Sequence, residues 1–423
     1  MSILAGSILH VAGRTVINRI QAAGLGSVNI PINTVHEVGN AFIVDKIVQE
    51  PEFTFTMESL DTTCEFEALL HGEVSSTTAS ASIRGELDAD GTGYDWSEVK
   101  PLNVISPWKD PATASSGVIE AGHLLPSYFP KKITYKFGVT ADATQTVELD
   151  GGAFYYGAFA PFEDFFAGTG AATEFTTSHS AVRVRLGGVL GSTFQSVFGI
   201  LVNGTYMVEG EDYTVTGGGT AGEALTATVE FTTAPANGAV IRCAYFTTAA
   251  QTYPQPVHAS TIVIPGAVRG RNIVVSIAAL NSKEWLRLPR VQDVTLEGTY
   301  DAPIERELGD TDPVGRTINS FDTNGTLTIR AENKKAFFHL LSLISGLDTE
   351  EEIVGYINQN PIQLKIEIQN PRNPGAILKT LYVPDAIFDI PGTPARANTP
   401  TDFALTYKAQ TGDHTVYKGA LPF

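Results

Sequence analysis

Short runs in which hydrophobic residues alternate with polar ones predict that this chain is built mainly from β-strands. Phe53, Phe55 and Met57 alternate with threonines, which is the period of two expected when one face of a strand meets a core. Residues 133–137 and 146–149 have the same character and predict an antiparallel pair across an Ala/Asp/Thr turn. The short apolar run 42–44 predicts a buried strand.

The second half of the chain has the same kind of pattern. Leu327 and Ile329 alternate on one predicted strand and residues 364–368 on another, and residues 403–407 close the series. Between the halves, residues 165–262 contain short strands separated by Asn-Gly and Gly-rich turns, which favours a small inserted β-sandwich. Its predicted strands and turns are Val202-Asn203-Gly204, Tyr213–Val215, Val229–Phe231 and Val240–Arg242, with a loop at Gly217–Gly219.

Two segments have helical spacing instead. Residues 62–71 place Phe66, Leu69 and Leu70 on one face and stop at Gly72. A longer helix carries hydrophobic residues three and four positions apart and ends at a glycine. The hydrophobic residues are Phe337, Leu340, Leu341 and Ile344, and the glycine is Gly346. Asp348, with Glu351 three positions later, predicts the cap of a further short helix.

The same short series of motifs occurs twice, about 270 positions apart. Two copies are too few for a solenoid, so they predict two fused homologous domains. The matched pairs are Arg19-Ile20-Gln21 with Arg290-Val291-Gln292, Glu37–Asn40 with Glu307–Asp310, Thr54–Met57 with Thr326–Ile329, Phe66 and Leu69 with Phe338 and Leu341, and Ser127–Pro130 with Leu381–Pro384 at the smaller offset of 254. The smaller offset indicates extra residues in the first copy, at the Ser/Thr/Gly-rich excursion 73–98.

These patterns predict three domains. Residues 1–164 and 263–423 would be homologous β-sandwich or barrel domains, each with a flanking helix, and residues 165–262 an inserted immunoglobulin-like β-sandwich. The length of 423 residues is too great for one ordinary core and agrees with this division.

Charge and cysteine content limit the classes of function and the compartments that fit the chain. The formal net charge of −18 is opposite in sign to that of a typical nucleic-acid binder, so DNA, if it is met, is not held. Cys64 and Cys243 fall in different domains, which argues against a disulfide framework and favours a reducing compartment. Because no run approaches the ~18 apolar residues of a spanning helix and the N-terminus lacks a basic leader, we expect a soluble protein made in the cytoplasm.

The motif search predicts no catalytic, cofactor-binding or metal-ligating residue, and hence no enzyme. His36-Glu37-Val38-Gly39-Asn40 begins like a zinc-protease helix, but Asn40 stands where the second His is needed. A repeated turn, in which Gly39 and Gly309 supply a special backbone conformation, explains it better. Glu86–Gly91 resembles half of a calcium loop but has Ser97 where the bidentate Glu is required, so a solvated acidic turn is favoured.

Other residue groups give no stronger indication of chemistry. His179 lies in a polar loop without an acidic partner nearby in sequence, and neither a nucleophile elbow nor a phosphate-binding loop occurs. Tyr155 and Tyr156, beside Phe154, are either half-buried strand residues or surface aromatics at an interface.

In order, spacing and duplication, the two copies resemble the major tail tube protein of long-tailed, siphovirus-like bacteriophages, in the type whose subunit fuses two tube domains. Residues 202–204, 211–215 and 231–238 of the insert resemble the β-sandwich modules that recur in phage tail proteins. The resemblance is carried by Gly270–Ile273, Arg290–Val294, Glu307–Asp310 and Thr326–Ile329, by the first-copy segments Gly13-Arg14, Arg19–Gln21, Glu37–Asn40 and Thr54–Met57, and by Leu125–Ile133.

The resemblance implies a structural virion protein whose stacked rings form the tail tube, the conduit for DNA ejection. Two domains per chain imply a trimer with pseudo-sixfold symmetry, in the virion tail after assembly in the host cytoplasm. Its implied partners are other copies of itself, the tape-measure protein, the tail terminator and the distal tail or baseplate proteins; DNA only passes through, and no membrane is involved. Residues 1–18, 73–98 and 411–423 are candidates for ring-stacking contacts. A tail-fibre or receptor-binding subunit, or another tail shell protein such as a sheath, is the alternative.

Overall fold

A computed structural model of the protein describes residues 11–12, 15–16, 20–29, 32–36, 43–48, 52–60, 64–70, 93–95, 99–109, 119–157, 159–185, 194–219, 225–248, 268–305, 315–330, 334–373, 375–389 and 402–422. The fold is mainly β, with large antiparallel sheets and few helices, which confirms the predicted fold class.

The first unit contains the long strand that later joins the two halves of the molecule. The alternating run 53–57 forms a strand in which Phe55 and Met57 are buried, as predicted. The elements of the first unit are β1 (Val11–Ala12), β2 (Thr15–Val16), β3 (Ile20–Asn29), β4 (Ile32–His36), β5 (Ile43–Val48), β6 (Glu52–Ser59), α1 (Glu65–Leu70), β7 (Gly93–Asp95), β8 (Leu102–Lys109), β9 (Ile119–Gly138), β10 (Thr144–Gly151) and β11 (Tyr155–Gly157).

The inserted module has its own sheets and core. Strands β12-β20-β16-β17 form one sheet and β13-β19-β18 another, and Tyr213, Val229 and Ile241 share a core. Asn203 and Gly204 have positive φ, as the predicted Asn-Gly turn requires. The elements are β12 (Ala160–Ala167), β13 (Glu174–Thr176), β14 (Val184–Arg185), β15 (Phe194–Gln195), β16 (Gly199–Val202), β17 (Thr205–Tyr206), β18 (Tyr213–Gly217), β19 (Ala227–Phe231) and β20 (Val240–Thr247).

The domain boundaries themselves stay predictions. The one between residues 164 and 165 falls inside β12, and the one between residues 262 and 263 lies outside the described residues.

The second unit begins with the 3-10 turn Gly270–Asn272 and ends with a short strand near the C-terminus. Its elements are β21 (Ile273–Ala279), β22 (Leu286–Arg287), β23 (Val291–Asp301), β24 (Ile304–Glu305), β25 (Gly315–Arg316), β26 (Ser320–Arg330), α2 (Lys334–Ser345), α3 (Glu350–Ile357), β27 (Ile362–Gln369), β28 (Ile377–Asp389), β29 (Asp402–Ala409) and β30 (Thr415–Lys418).

The two units have the same connectivity. In the first, the paired strands are β1–β2, β1–β8, β3–β6, β4–β5, β6–β10, β8–β9, β9–β10 and β9–β11. In the second they are β21–β22, β21–β27, β23–β26, β24–β25, β26–β29, β27–β28, β28–β29 and β28–β30. Each pairing of one unit therefore has a counterpart in the other.

Matching β-bulges fix which residues correspond. The β3–β6 ladder shifts register between Ile20 and Ala22, and the β23–β26 ladder shifts between Val291 and Asp293. The repeated Arg-Ile-Gln and Arg-Val-Gln motifs therefore mark the same bulge, in which the Gln is the extra residue. A second matched bulge lies between Leu102 and Val104 in the first unit and between Ile362 and Leu364 in the second.

These bulges correct two of the predicted matches. Met57 corresponds to Leu327 and not to Ile329, a shift of two residues. Tyr128 corresponds to Ala386 and not to Tyr382, a shift of four, so Pro126 is the counterpart of Pro384. Because strand side chains alternate with period two, an even shift keeps the same face inward and leaves the hydrophobic pattern unchanged. Periodicity alone could not detect either error.

The predicted match of the two Gly-Arg pairs is wrong. Gly13-Arg14 follows β1 in the chain, whereas Gly270-Arg271 precedes β21, the counterpart of β1. The Glu37–Asn40 and Glu307–Asp310 segments lie outside the described residues, between strands that pair with each other in both units.

The helices form as predicted, with one correction at a cap. Helix α1 buries Phe66 and Leu70, and α2 ends at Gly346, whose φ is +71°. The cap of α3 is shifted by one residue from the predicted pair. The Thr349 side chain accepts from the Glu352 backbone N–H, and its hydroxyl donates to the Glu352 carboxylate at 2.7 Å.

Candidate assembly interface and channel face

One continuous sheet runs through both units. Residues 132–138 of β9 pair antiparallel with residues 293–299 of β23, which extends the sheet in the order β3-β6-β10-β9-β23-β26-β29-β28. We call this ladder and the contacts around it the unit joint. At the unit joint, β9 of the first unit pairs with β23 of the second unit. Within the described residues, β3 pairs only with β6, and no described strand pairs with its other edge.

The two faces of this sheet differ in chemistry. The inner face packs into the main core through residues such as Phe55, Leu149, Val294 and Leu327. The other face is polar and rich in threonine, and its charges partly pair, as in Lys132–Glu297 at 2.9 Å. Its members are Thr54, Thr56, Glu58, Lys132, Lys136, Thr146, Glu148, Thr295, Glu297, Asp322, Asn324, Thr326, Thr406 and Lys408. We name these residues the polar face.

A buried charge cluster lies at the unit joint. Lys379 Nζ of β28 is 2.5 Å from Glu67 Oε1 of α1, and both side chains are almost completely buried. The same carboxylate oxygen accepts from the Tyr135 hydroxyl at 2.7 Å and from Gln145 Nε2 at 3.1 Å. Burial, and then the nearby Glu67 carboxylate, raise the pKa of Tyr135, so its hydroxyl stays protonated and donates. The cluster thus connects α1, β9 and β10 of the first unit to the second unit.

Among the described residues, two members of the charge cluster have apolar counterparts in the other unit. By the register given above, Lys379 corresponds to Ala121 and Gln145 corresponds to Phe403. Neither residue can take part in a charge network. The cluster is therefore specific to the joint between the first unit and the second.

A second ion pair joins the units on the side of the β24–β25 hairpin. Arg316 Nη1 is 2.7 Å from the Asp150 carboxylate, and its guanidinium stacks over the Phe129 ring at 5.5 Å. Phe129 also meets Tyr300 of β23 edge to face, with centroids 5.4 Å apart. Burial raises the pKa of Asp150 even though Arg316 favours its charged form. Both charges are partly desolvated, which strengthens their mutual attraction.

The C-terminal residues belong to the unit joint. Strand β30 pairs on one side with β28 and on the other with β7, which lies in the excursion 73–98. His414 is fully buried, and its Nδ1 shares a hydrogen bond with the Thr323 hydroxyl at 2.8 Å. Its ring also contacts the Tyr135 ring of the first unit. Most of the predicted stacking tail 411–423 is thus packed within the chain.

A buried ion pair within the inserted module contacts the first unit through Asn103 of β8. Arg242 of β20 donates to both carboxylate oxygens of Glu163 in β12, at 2.9 and 3.1 Å. Asn103 of β8 donates to Glu163 at 2.9 Å, and Ile105 and Leu124 pack against Phe246 of the module. A bidentate pair of this kind sets orientation as well as distance. The module therefore packs on β8 and β9 of the first unit through Asn103, Ile105 and Leu124.

Tyr155 is a half-buried strand residue, as one prediction has it, and Tyr156 is a surface aromatic. Tyr155 is half-buried and packs against Phe198 of the module with centroids 4.6 Å apart. Tyr156 points the other way and is 55% exposed, beside His123 and near Phe154. Burial lowers the pKa of His123 to about 4.

The residues weighed for catalysis do not form a site in the described part of the chain. His36 ends β4, and most of the candidate calcium loop and the residues after His36 lie outside the described ranges. Among the residues that the structure describes, no group of three or more His, Cys, Asp or Glu could hold a metal ion. No described helix is long and apolar enough to span a membrane. Sequence reasoning missed Glu67 and Lys379, because nothing in a local pattern links residues so far apart.

Comparisons with known proteins show a distant structural likeness. No protein-family model matches the chain, and no curated protein matches it. A cryo-EM structure of the anti-feeding prophage cap, the tube-terminating cap, is similar over 39% of this chain and 99% of the cap chain, with 15% identity and a TM-score of 0.25. A likeness at that level carries no argument, so the functional interpretation depends on the internal duplication.

Proposed function

We propose that this protein is a structural subunit of a bacteriophage tail, which polymerises through ring-shaped assemblies into the tail tube. The observation that carries the proposal is the β9–β23 ladder between two units of the same connectivity. A contact between two different edges is heterologous, and repetition of such a contact gives a closed ring or an open helix. The sheet edge left at β3 is the position where the next repetition would take place.

The polar face fits the lining of a channel. If the continuous sheet closes into a ring, one face must point inward and the other must meet the rest of the subunit. The apolar face is already buried against the unit cores, so the polar face is the one left for the lumen. Threonines and partly paired charges give a hydrated wall without a cationic patch, and the overall charge of −18 disfavours adhesion of DNA. DNA could then pass without being held.

In this arrangement each chain supplies two adjacent positions, so three chains form a pseudo-sixfold ring. The tape-measure protein, the tail terminator and the distal tail or baseplate proteins are its proposed partners in the virion tail. The inserted module, attached to β8 and β9 on the side away from the core, would decorate the outside.

The test is the stoichiometry of purified assemblies. Native mass spectrometry combined with negative-stain electron microscopy should show closed rings of three chains with six similar lobes, and stacks of such rings at high concentration. Monomers at all concentrations, or rings that contain six whole chains, would contradict the proposal.

A further inference from the structure

The strongest unassigned feature is an exposed aromatic surface on the first unit, formed by His123, Phe154 and Tyr156. We call it the aromatic surface. His123 and Phe154 are half-buried with ring centroids 4.7 Å apart, and His123 meets Tyr156 at 5.7 Å. Tyr156 is more than half exposed, which is unusual for a large aromatic side chain on a paired strand.

The register of the repeat gives each of these residues a counterpart in the second unit. The β9–β11 ladder pairs Tyr156 with His123, and the β28–β30 ladder pairs Val416 with Leu381. Val416 and Leu381 are the corresponding positions, and His414 corresponds to Phe154. The side-chain contacts agree with this assignment. Phe53 stacks on Phe154, and Thr323, the counterpart of Phe53, forms a hydrogen bond with His414.

All the counterparts are fully buried, whereas the aromatic surface is not. Val416, Leu381 and His414 each have no exposed surface. The first unit helps to bury this region: Tyr135 meets His414, and β7 pairs with β30. Lys379, two residues from Leu381 on the same face, meets Glu67. The same part of the fold is thus fully buried at the unit joint and partly exposed on the first unit.

The sheet edge shows the same contrast. Val294 of β23 is 1% exposed where β9 covers it, but its counterpart Ala23 in β3 is exposed. Thr295 corresponds to Gly24, where an added Cβ would meet no atom within 4 Å. Residues 22–24 of β3 and Tyr156 are therefore exposed together, as they would be if the same neighbour covered both in an assembly.

We propose that the aromatic surface and the exposed β3 edge at residues 22–24 are the docking surface for the second unit of another copy of this chain. The occupant is set by the molecule itself, since the second unit already shows how this part of the fold is covered. The inference rests on the proposed function and deepens it, because it names the residues through which one chain meets the next.

The contact between chains differs from the unit joint within a chain. Within the chain, the corresponding layer holds the buried Glu67–Lys379 pair, and between chains it would hold Ala121 and the aromatic surface. Burial of an apolar surface without a charge network is easier to form and to reverse, because no ion has to be desolvated. The contact between chains is therefore the one that forms late, during assembly.

The test uses two lysine substitutions at similarly exposed side chains. Tyr156→Lys places a charge on the aromatic surface, whereas Leu225→Lys does the same on the inserted module, where Leu225 is 52% exposed. Burying an unpaired ammonium is costly, so Tyr156→Lys should weaken assembly roughly tenfold or more by sedimentation velocity, and Leu225→Lys should assemble like the wild type.

A third variant tests the strand edge. The Val139 N–H donates to the Gln292 carbonyl, so alternate residues such as Val294 direct their N–H groups toward β9. Ala23, the counterpart of Val294, should direct its N–H away from β6. Ala23→Pro would remove that donor with little cost to the β3–β6 ladder, because proline is tolerated on an edge strand, and it should also weaken assembly.

Hydrogen–deuterium exchange on the wild-type protein gives a readout that does not depend on a variant. On assembly, residues 20–25 and 153–157 should exchange roughly tenfold more slowly, whereas residues 213–217 of the module should not change. If wild type forms rings while Tyr156→Lys and Ala23→Pro assemble normally and no protection appears, this inference is overturned and the proposed function stands. If wild type remains monomeric, both fail.

Discussion

At the scale of single residues, the Glu67–Lys379 pair is the most consequential contact in the chain. Both groups are out of water, and their attraction is supplemented by Tyr135 and Gln145. Glu67→Gln keeps the shape but leaves the Lys379 ammonium buried without a counter-charge. We expect the free energy of unfolding to fall by about 3–5 kcal/mol, measured by denaturant titration.

The control for that substitution is an exposed ion pair. Lys408 and Asp322 are 3.2 Å apart, but more than half of each side chain is in solvent. Asp322→Asn should therefore cost no more than about 1 kcal/mol. Replacing both buried partners, as in Glu67→Leu with Lys379→Met, should recover most of the stability lost in Glu67→Gln. An equal loss in the buried and exposed variants would show that the cluster is not desolvated.

His123 predicts a pH dependence of stability. Its pKa is about 4 in the folded protein and ordinarily 6.5, so the unfolded chain binds the proton more readily. The stabilising contribution is complete above pH 6.5 and is lost as the pH falls toward 4. Between pH 7 and pH 5, the free energy of unfolding should therefore fall more for the wild type than for the His123→Gln variant. Equal losses would contradict the assignment, since all other titrating groups are shared.

At the scale of elements, the cap of α3 distinguishes the observed structure from the simplest interpretation of the sequence. Thr349 accepts the Glu352 N–H, and Asp348 lies just outside. Thr349→Ala should lower the free energy of unfolding by about 1 kcal/mol. Asp348→Ala, the matched neighbour, should change it by less than about 0.5 kcal/mol. Thermal unfolding of the two variants decides between the caps, and the reverse order of effects would favour the predicted one.

The sequence predicted the elements well and their exact correspondence less well. Local periodicity and turn chemistry are contained in full in short segments, so they predict single elements. Examples are the strands around Phe55, Ile133 and Leu364, the helix that ends at Gly346 and the Asn203-Gly204 turn. The matches of Met57 and Tyr128 were wrong because period two cannot distinguish even shifts. The bulges that settle the register are visible only where two strands are paired.

The candidate interface was only partly predictable. The aromatic group at residues 154–156 stood out, but its two possible roles could not be separated, because adjacent strand residues face opposite sides. Glu67, Lys379 and Arg242 gave no signal at all. A charged residue that will be buried resembles any surface charge until its distant partner is known.

At the scale of the whole molecule, the net charge of −18 should make assembly depend on salt. Chains of like charge repel each other at low ionic strength, and at about 0.1 M salt the screening length shortens to ~10 Å. Because the proposed contact between chains is apolar and strand-mediated, added salt should promote assembly in sedimentation experiments. Assembly that weakens as salt rises would indicate that ion pairs hold the chains together.

In the proposed ring, the charge cluster would stand at one of two kinds of joint, and this has an evolutionary consequence. In a ring of identical single-unit subunits, every mutation is repeated at every boundary, so selection acts on all the boundaries together. In the proposed ring, a mutation at residue 379 would alter alternate boundaries and leave the rest unchanged, because the counterpart of Lys379 is Ala121. If the proposed ring forms, fusion of the two units would thus make one boundary permanent and leave the other free to adapt to assembly.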